Sequence, residues 1–130
     1  MVGAEDGDRE KSVFAEAKVL TLSELDIFFE RSLRARREAD PEYTPNLLLG
    51  KAMEYARHFA TNHSQESATK IRQVLAESLM TEAELGSVAN LAPRTAEEAR
   101  ALIPSLTEDR FSDEQLNAVL QEVEALRAFE

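Results

Sequence analysis

The side chains of this chain best equipped for chemistry are two histidines, two adjacent glutamates and a run of arginines, and none is spaced for catalysis. His58 and His63 are the only histidines. Five positions apart, they fall off one helical face, whereas a zinc pair wants a separation of three or four. With no cysteine in the chain, no thiolate completes a metal site. Glu97 and Glu98 would be candidates for general acid and base, but helical neighbours point about 100° apart and do not easily share a substrate. Glu98 is better accounted for as a capping partner of Thr95, at the positive end of a helix. No Gly-x-Gly-x-x-Gly or phosphate loop occurs among the four glycines, and no serine sits in a recognisable histidine–acid arrangement. No catalytic residue, cofactor or metal is expected.

Arg31, Arg34, Arg36 and Arg37 form the one dense basic cluster. At the C-terminal end of a helix these cations complement the helix dipole; the functional alternative is an acidic partner surface or a nucleic-acid strand. The chain as a whole carries a formal net charge of −10 over 130 residues, which argues against a main phosphate-binding surface and for a protein partner. Its length fits a single packed domain. Residues 1–11 are acidic and small, read as a disordered tail with neither a signal-peptide core nor an anchor. No apolar run approaches the roughly 18–20 residues that a membrane span needs.

The elements that must position these groups are helices, and their starts are written as capping boxes. Thr21 with Glu24, Thr81 with Glu84, Thr95 with Glu98 and Ser112 with Gln115 all show the hydroxyl and the acid or amide three residues later. Leu20 with Leu25, Met80 with Leu85 and Phe111 with Leu116 add hydrophobic staples. Thr44 followed by Pro45 marks a further start, and Ser64 another. Helices are expected at about 22–37, 45–62, 65–79, 82–90, 96–103 and 113–128. Residues 12–20 alternate like a strand but contain helix formers, and stay open.

Apolar stripes follow the helical period: Leu22, Leu25, Phe29 and Leu33; Leu48, Ala52, Tyr55 and Phe59; Ile71, Val74, Leu75 and Leu79; and Leu116, Val119, Leu120, Val123 and Leu126. The first helix carries Ile27 and Phe28 besides its stripe, more apolar circumference than one core contact uses, which predicts a second contact surface. Pro41 and the polar stretch around it separate this helix from the five that follow. The expected organisation is a tail at 1–11, a partner-binding segment and helix at 12–40, and a helical bundle at 44–130.

Residues 88–106 carry a longer pattern. Leu91, Pro93, Thr95, Glu97, Glu98, Leu102, Ile103, Pro104, Ser105 and Leu106 fall in register with Leu-x-Pro-x-Thr-x-Glu-Glu-x-x-x-Leu-Ile-Pro-Ser-Leu. This resembles the signature of the family of the fourth subunit of eukaryotic RNA polymerase II. The likeness extends from about Ala17 to Phe129. Ser23, Glu24, the apolar run Leu25 to Phe29, Glu30 and Arg31 are similar to the family's leading helix, and Tyr55, Ala56, Arg57 and Phe59 to its Tyr-x-x-Arg-Phe region, with His58 interrupting so that Arg57 sits two rather than one before Phe59. Arg110, Phe111, Asp113 and Glu114 are similar to the start of its last helix, and Arg127 and Phe129 to its close. Ala92 stands where many members have Cys, and Thr61 to Ser64 replace an often basic segment.

The resemblance implies an all-α fold with a leading helix and a five-helix bundle of the helicase-and-RNase-D C-terminal-like type. It implies a non-catalytic stalk subunit in the nucleus, paired with the seventh subunit of RNA polymerase II and through it with the polymerase core. Nucleic acid would be met mainly through that partner, during initiation and transcript handling. Leu22, Leu25, Phe28 and Phe29, joined by Leu91 and Pro93, are the implied partner contacts. Leu102, Ile103 and Leu106 are assigned to the core. Two alternatives stay open: the equivalent subunit of a paralogous polymerase, and a free-standing helical nucleic-acid-binding module.

Overall fold

The computed structural model describes residues 18–128, so the tail at 1–11, residues 12–17 and Phe129 lie outside the described residues. Among the described residues six helices run in order: α1 (Leu22–Ala39), α2 (Leu47–Phe59), α3 (Gln65–Glu77), α4 (Glu82–Leu91), α5 (Ala96–Leu102) and α6 (Asp113–Ala128). The chain is all-α, with no strand among the described residues. Lys18, Val19 and Leu20, from the ambiguous segment, are neither helix nor strand.

Most caps form as the spacing predicts. Thr21 and Thr81 make complete capping boxes with Glu24 and Glu84, Ser112 and Gln115 exchange reciprocal bonds, and Ser64 caps α3. Two starts differ. Thr95 accepts from the Glu98 N–H, but the Glu98 carboxylate takes the Arg94 N–H instead of returning to Thr95. α2 begins after Pro45, because Asn46, a stronger cap than threonine, accepts from the Leu49 N–H at 2.8 Å.

The apolar core is built by the last four helices and their connections. Leu75, Leu85, Leu106, Leu116 and Leu120 are fully buried there beside Val88 and Val123, each leucine contributing roughly 1.5–3 kcal/mol. α1 packs on α2 and on α3, while α2 takes α1 as its neighbour. The first helix therefore has a close companion in the helix after it. Leu79 leaves its expected stripe: α3 stops at Glu77, and Leu79 follows in the left-handed region, exposed.

The α2 stripe is the largest departure from the pattern. Leu48, Ala52, Tyr55 and Phe59 lie on one face as their spacing requires, yet that face is open to solvent, with Leu48 81% exposed. Ala56 is buried and Leu49 and Met53 are half-buried on the adjoining face, about 100° around the helix. Periodicity shows that a helix has an apolar side without showing what covers it.

Candidate partner interface

A polar knot seats the α1–α2 hairpin on the core. Arg72, on α3, donates to both oxygens of Glu24 at 2.7 Å and to Glu82 at 3.3 Å, and reaches the Val19 carbonyl. Glu24 thus serves its own helix cap and an ion pair from 48 residues away. Burial works to raise its carboxyl, but hydrogen bonds from Arg72 and the Thr21 backbone outweigh that and hold it below the ordinary range. Leu22 N–H donates to Asn90 Oδ1 at 2.9 Å. Ser23 Oγ accepts from the Thr61 and Asn62 N–H groups, and buried Asp26 meets His63 Nδ1 at 3.2 Å. The α1 partners in this knot, Leu22, Ser23, Glu24 and Asp26, all lie in its first two turns, so its N-terminal half is held against the core.

The leading segment is fitted as closely. A Cβ on Gly86 would stand 2.7 Å from Val19 Cγ1, so the missing side chain of Gly86 is what lets Val19 lie on α4. Glu82 fixes the same segment by accepting the Val19 N–H at 3.1 Å.

The signature residues do structural work in the connections around α5. Ala92 ends α4 in the left-handed region, and buried Pro93 follows it. Ser105 donates to Glu84 Oε2 at 2.6 Å. Arg110 adds a two-pronged pair to the same carboxylate and also bonds the Ser105 carbonyl. Burial raises the Glu84 carboxyl, but the bonds from Arg110, Ser105 and Thr81 overcome it and bring it to about 2. Arg100 holds the same loop through the Leu106 and Phe111 carbonyls and Asp113. Arg127 Nη2 donates to the Ala89 carbonyl at 3.1 Å, near the end of α4. Ile103 and Leu106 fill the core as expected, whereas Leu102 stays exposed.

The expected contact residues divide by burial. Phe28 is 57% exposed and Leu91 52% exposed. Leu22, Leu25 and Phe29 are half-buried, and Pro93 is buried in the chain's own packing with no side-chain surface left to offer. Phe28 and Phe29 line an apolar groove of about 200 Å³ between α1 and α2, with Leu33, Tyr43, Leu49 and Met53. On α2 the rings of Tyr55 and Phe59 meet tilted, with centroids 4.6 Å apart, while remaining exposed. The spacing of these α2 residues shows an apolar helix face, and its exposure is visible only in three dimensions.

The remaining polar candidates are structural. Arg36 lies over the Tyr43 ring and Arg37 bonds the Tyr43 carbonyl, tying the α1–α2 connection, while Arg31 bonds Gln65. His58 packs edge-on against Phe59. Both histidines line one shallow hollow with Glu54 and Arg57, and among the described residues no group of three or more metal-binding side chains gathers. Glu97 and Glu98 are exposed at the start of α5. No described helix is long and apolar enough to cross a membrane.

Comparison with known proteins agrees with this layout. The family model described as RNA polymerase Rpb4 matches residues 19–127, from the leading segment to the end of α6. DNA-directed RNA polymerase II subunit rpb4 of Dictyostelium discoideum is 31% identical over 129 residues, covering 88% of this chain and 82% of its own. DNA-directed RNA polymerase II subunit 4 of Arabidopsis thaliana is 29% identical over 90% of this chain and 88% of its own. The Schizosaccharomyces pombe subunit rpb4 is 32% identical, covering 90% and 86%. The matched span takes in the knot at Glu24, the signature at 91–106 and the exposed hairpin together, and the chain belongs to the RNA polymerase Rpb4 family.

Proposed function

We propose that this chain is a non-catalytic subunit of nuclear RNA polymerase II that pairs, through the outer face of the α1–α2 hairpin, with the polymerase's seventh subunit. The observation that carries this reading is the α2 stripe of Leu48, Ala52, Tyr55 and Phe59, exposed on the same hairpin as Phe28 and an apolar groove that Phe28 lines with Leu49 and Met53. A run of exposed apolar side chains along one helix face marks an interface, since its exposure to water is unfavourable. Leu22, Leu25, Phe28, Phe29 and Leu91 join it as contacts, with Pro93 setting the direction of the turn that presents Leu91. The net charge of −10 leaves nucleic acid mainly to the partner, in initiation and in handling the transcript. Family membership supports the polymerase assignment; the pairing and its consequences rest on the surface.

Co-expression with the seventh subunit from the same source, followed by size-exclusion chromatography with light scattering, tests the pairing. A one-to-one complex is expected; two separate monomers would sink the proposal. The largest subunit that co-purifies distinguishes polymerase II from a paralogous polymerase. A second reading, a free-standing nucleic-acid-binding module, draws on Arg34, Arg37 and Arg57, which share a hollow with Glu30 and Glu38. RNA binding by the isolated chain that falls steeply with salt would favour it.

A further inference from the structure

A second apolar groove, of about 580 Å³, lies away from the hairpin, between the α3–α4 turn and α6. Buried Phe111 and half-buried Val119 form its apolar base beside exposed Ala118, and Leu79 stands at its edge. Leu79 is the unusual member. It takes φ 67° just past the end of α3, a position where glycine or asparagine is favoured because a Cβ is strained there. Its side chain is nonetheless 83% exposed. Packing within the chain gives no reason for a leucine at such a place; an external apolar contact does.

Charge defines what that contact is. Glu114 and Glu122 lie one turn before and one turn after Ala118 on the same face of α6, and Glu77 precedes the turn. All three are exposed, and none forms an ion pair among the described residues. The cation lining the groove, Arg110, is committed to Glu84 through both terminal nitrogens. The rim is therefore acidic around an apolar floor. Phosphates are repelled by it, while lysine and arginine are drawn to it.

We propose that this groove docks a basic amphipathic helix of a partner protein, with a leucine, isoleucine or phenylalanine seated against Ala118 and Val119. Glu114 and Glu122 are eight residues apart, about 12 Å along the helix. That spacing matches lysine or arginine placed one turn either side of the anchor on the incoming helix. The surface uses no residue of the hairpin, so the groove and the stalk pairing stand or fall separately.

Selection of random phage-displayed peptides against the full chain, followed by fluorescence anisotropy with the enriched peptides, tests this. Enriched sequences are expected to carry an apolar residue flanked by lysine or arginine. Their affinity should fall by about tenfold or more in Leu79→Gly and in Glu114→Lys with Glu122→Lys. Leu79→Gly removes the strained Cβ, so its melting temperature should not drop, which separates lost docking from lost folding. Absence of enrichment, an acidic consensus, or peptides that bind all variants alike would overturn the proposal. So would a concentration-dependent dimer of the chain abolished by Leu79→Gly, which would give the groove to a second copy.

Discussion

Arg110 grips Glu84 with two parallel bonds, Nη1 to Oε2 at 2.8 Å and Nη2 to Oε1 at 2.9 Å, across 26 residues of sequence. Glu84 is also the acid of the Thr81 capping box, so one buried carboxylate fixes both the start of α4 and the loop that follows α5. Arg110→Ala leaves that carboxylate buried with only neutral partners. Breaking such a pair from one side costs more than the pair is worth intact. Urea denaturation should show a loss of stability larger than that for Glu84→Gln; equal losses would show that the charge is not what matters.

Acid sensitivity follows from the same residue. Glu84 has a pKa of about 2 in the folded chain against an ordinary 4.5, so the unfolded chain takes up a proton that the folded chain refuses. Above pH 4.5 the carboxyl is ionised in both states and its stabilisation is fully present. As pH falls from there towards 2, that stabilisation is progressively lost. Glu24 and Glu82, also held low, act in the same direction. Urea midpoints measured at pH 7, 4 and 3 should fall together with acid, and Arg110→Ala should flatten that fall. An unchanged acid slope in the variant would remove Glu84 as its source.

Two helical glycines should respond oppositely to alanine. Gly50 has nothing within 4 Å of where a Cβ would sit, so Gly50→Ala should stabilise by about 0.5–1 kcal/mol. At Gly86 the same gain meets Val19 Cγ1 at 2.7 Å, and overpacking of about 1–3 kcal/mol outweighs it. Thermal melts of the two variants should move apart, and a parallel rise would mean that Val19 is free to shift.

How much of this was legible beforehand depends on the range of the interaction. Thr21, Thr81 and Ser112 announce helix starts because caps are local, made within four residues. Ser105 and Arg110 were visible as part of a pattern, but their meeting at Glu84 was not, since nothing in a sequence pairs a capping glutamate with an arginine 26 positions on. The α2 stripe falls in register in the sequence, but its spacing does not say what covers it, and Leu48 and Phe59 turn out exposed. Leu79 matched the α3 stripe by count, while the helix had already ended at Glu77.

The face of α2 carries the central claim, and the affinity of the full chain for the seventh subunit tests it most directly. Leu48→Asp with Phe59→Asp alters exposed side chains, of which Phe59 touches only Tyr55 and His58 among the aromatic rings of its own helix, so the free chain should stay folded with a stability loss of about 1–2 kcal/mol at most. Isothermal titration calorimetry should show affinity lowered by about a hundredfold or more, as expected when central apolar anchors are lost. An unchanged affinity in the correctly folded variant would contradict the account and move the interface off α2.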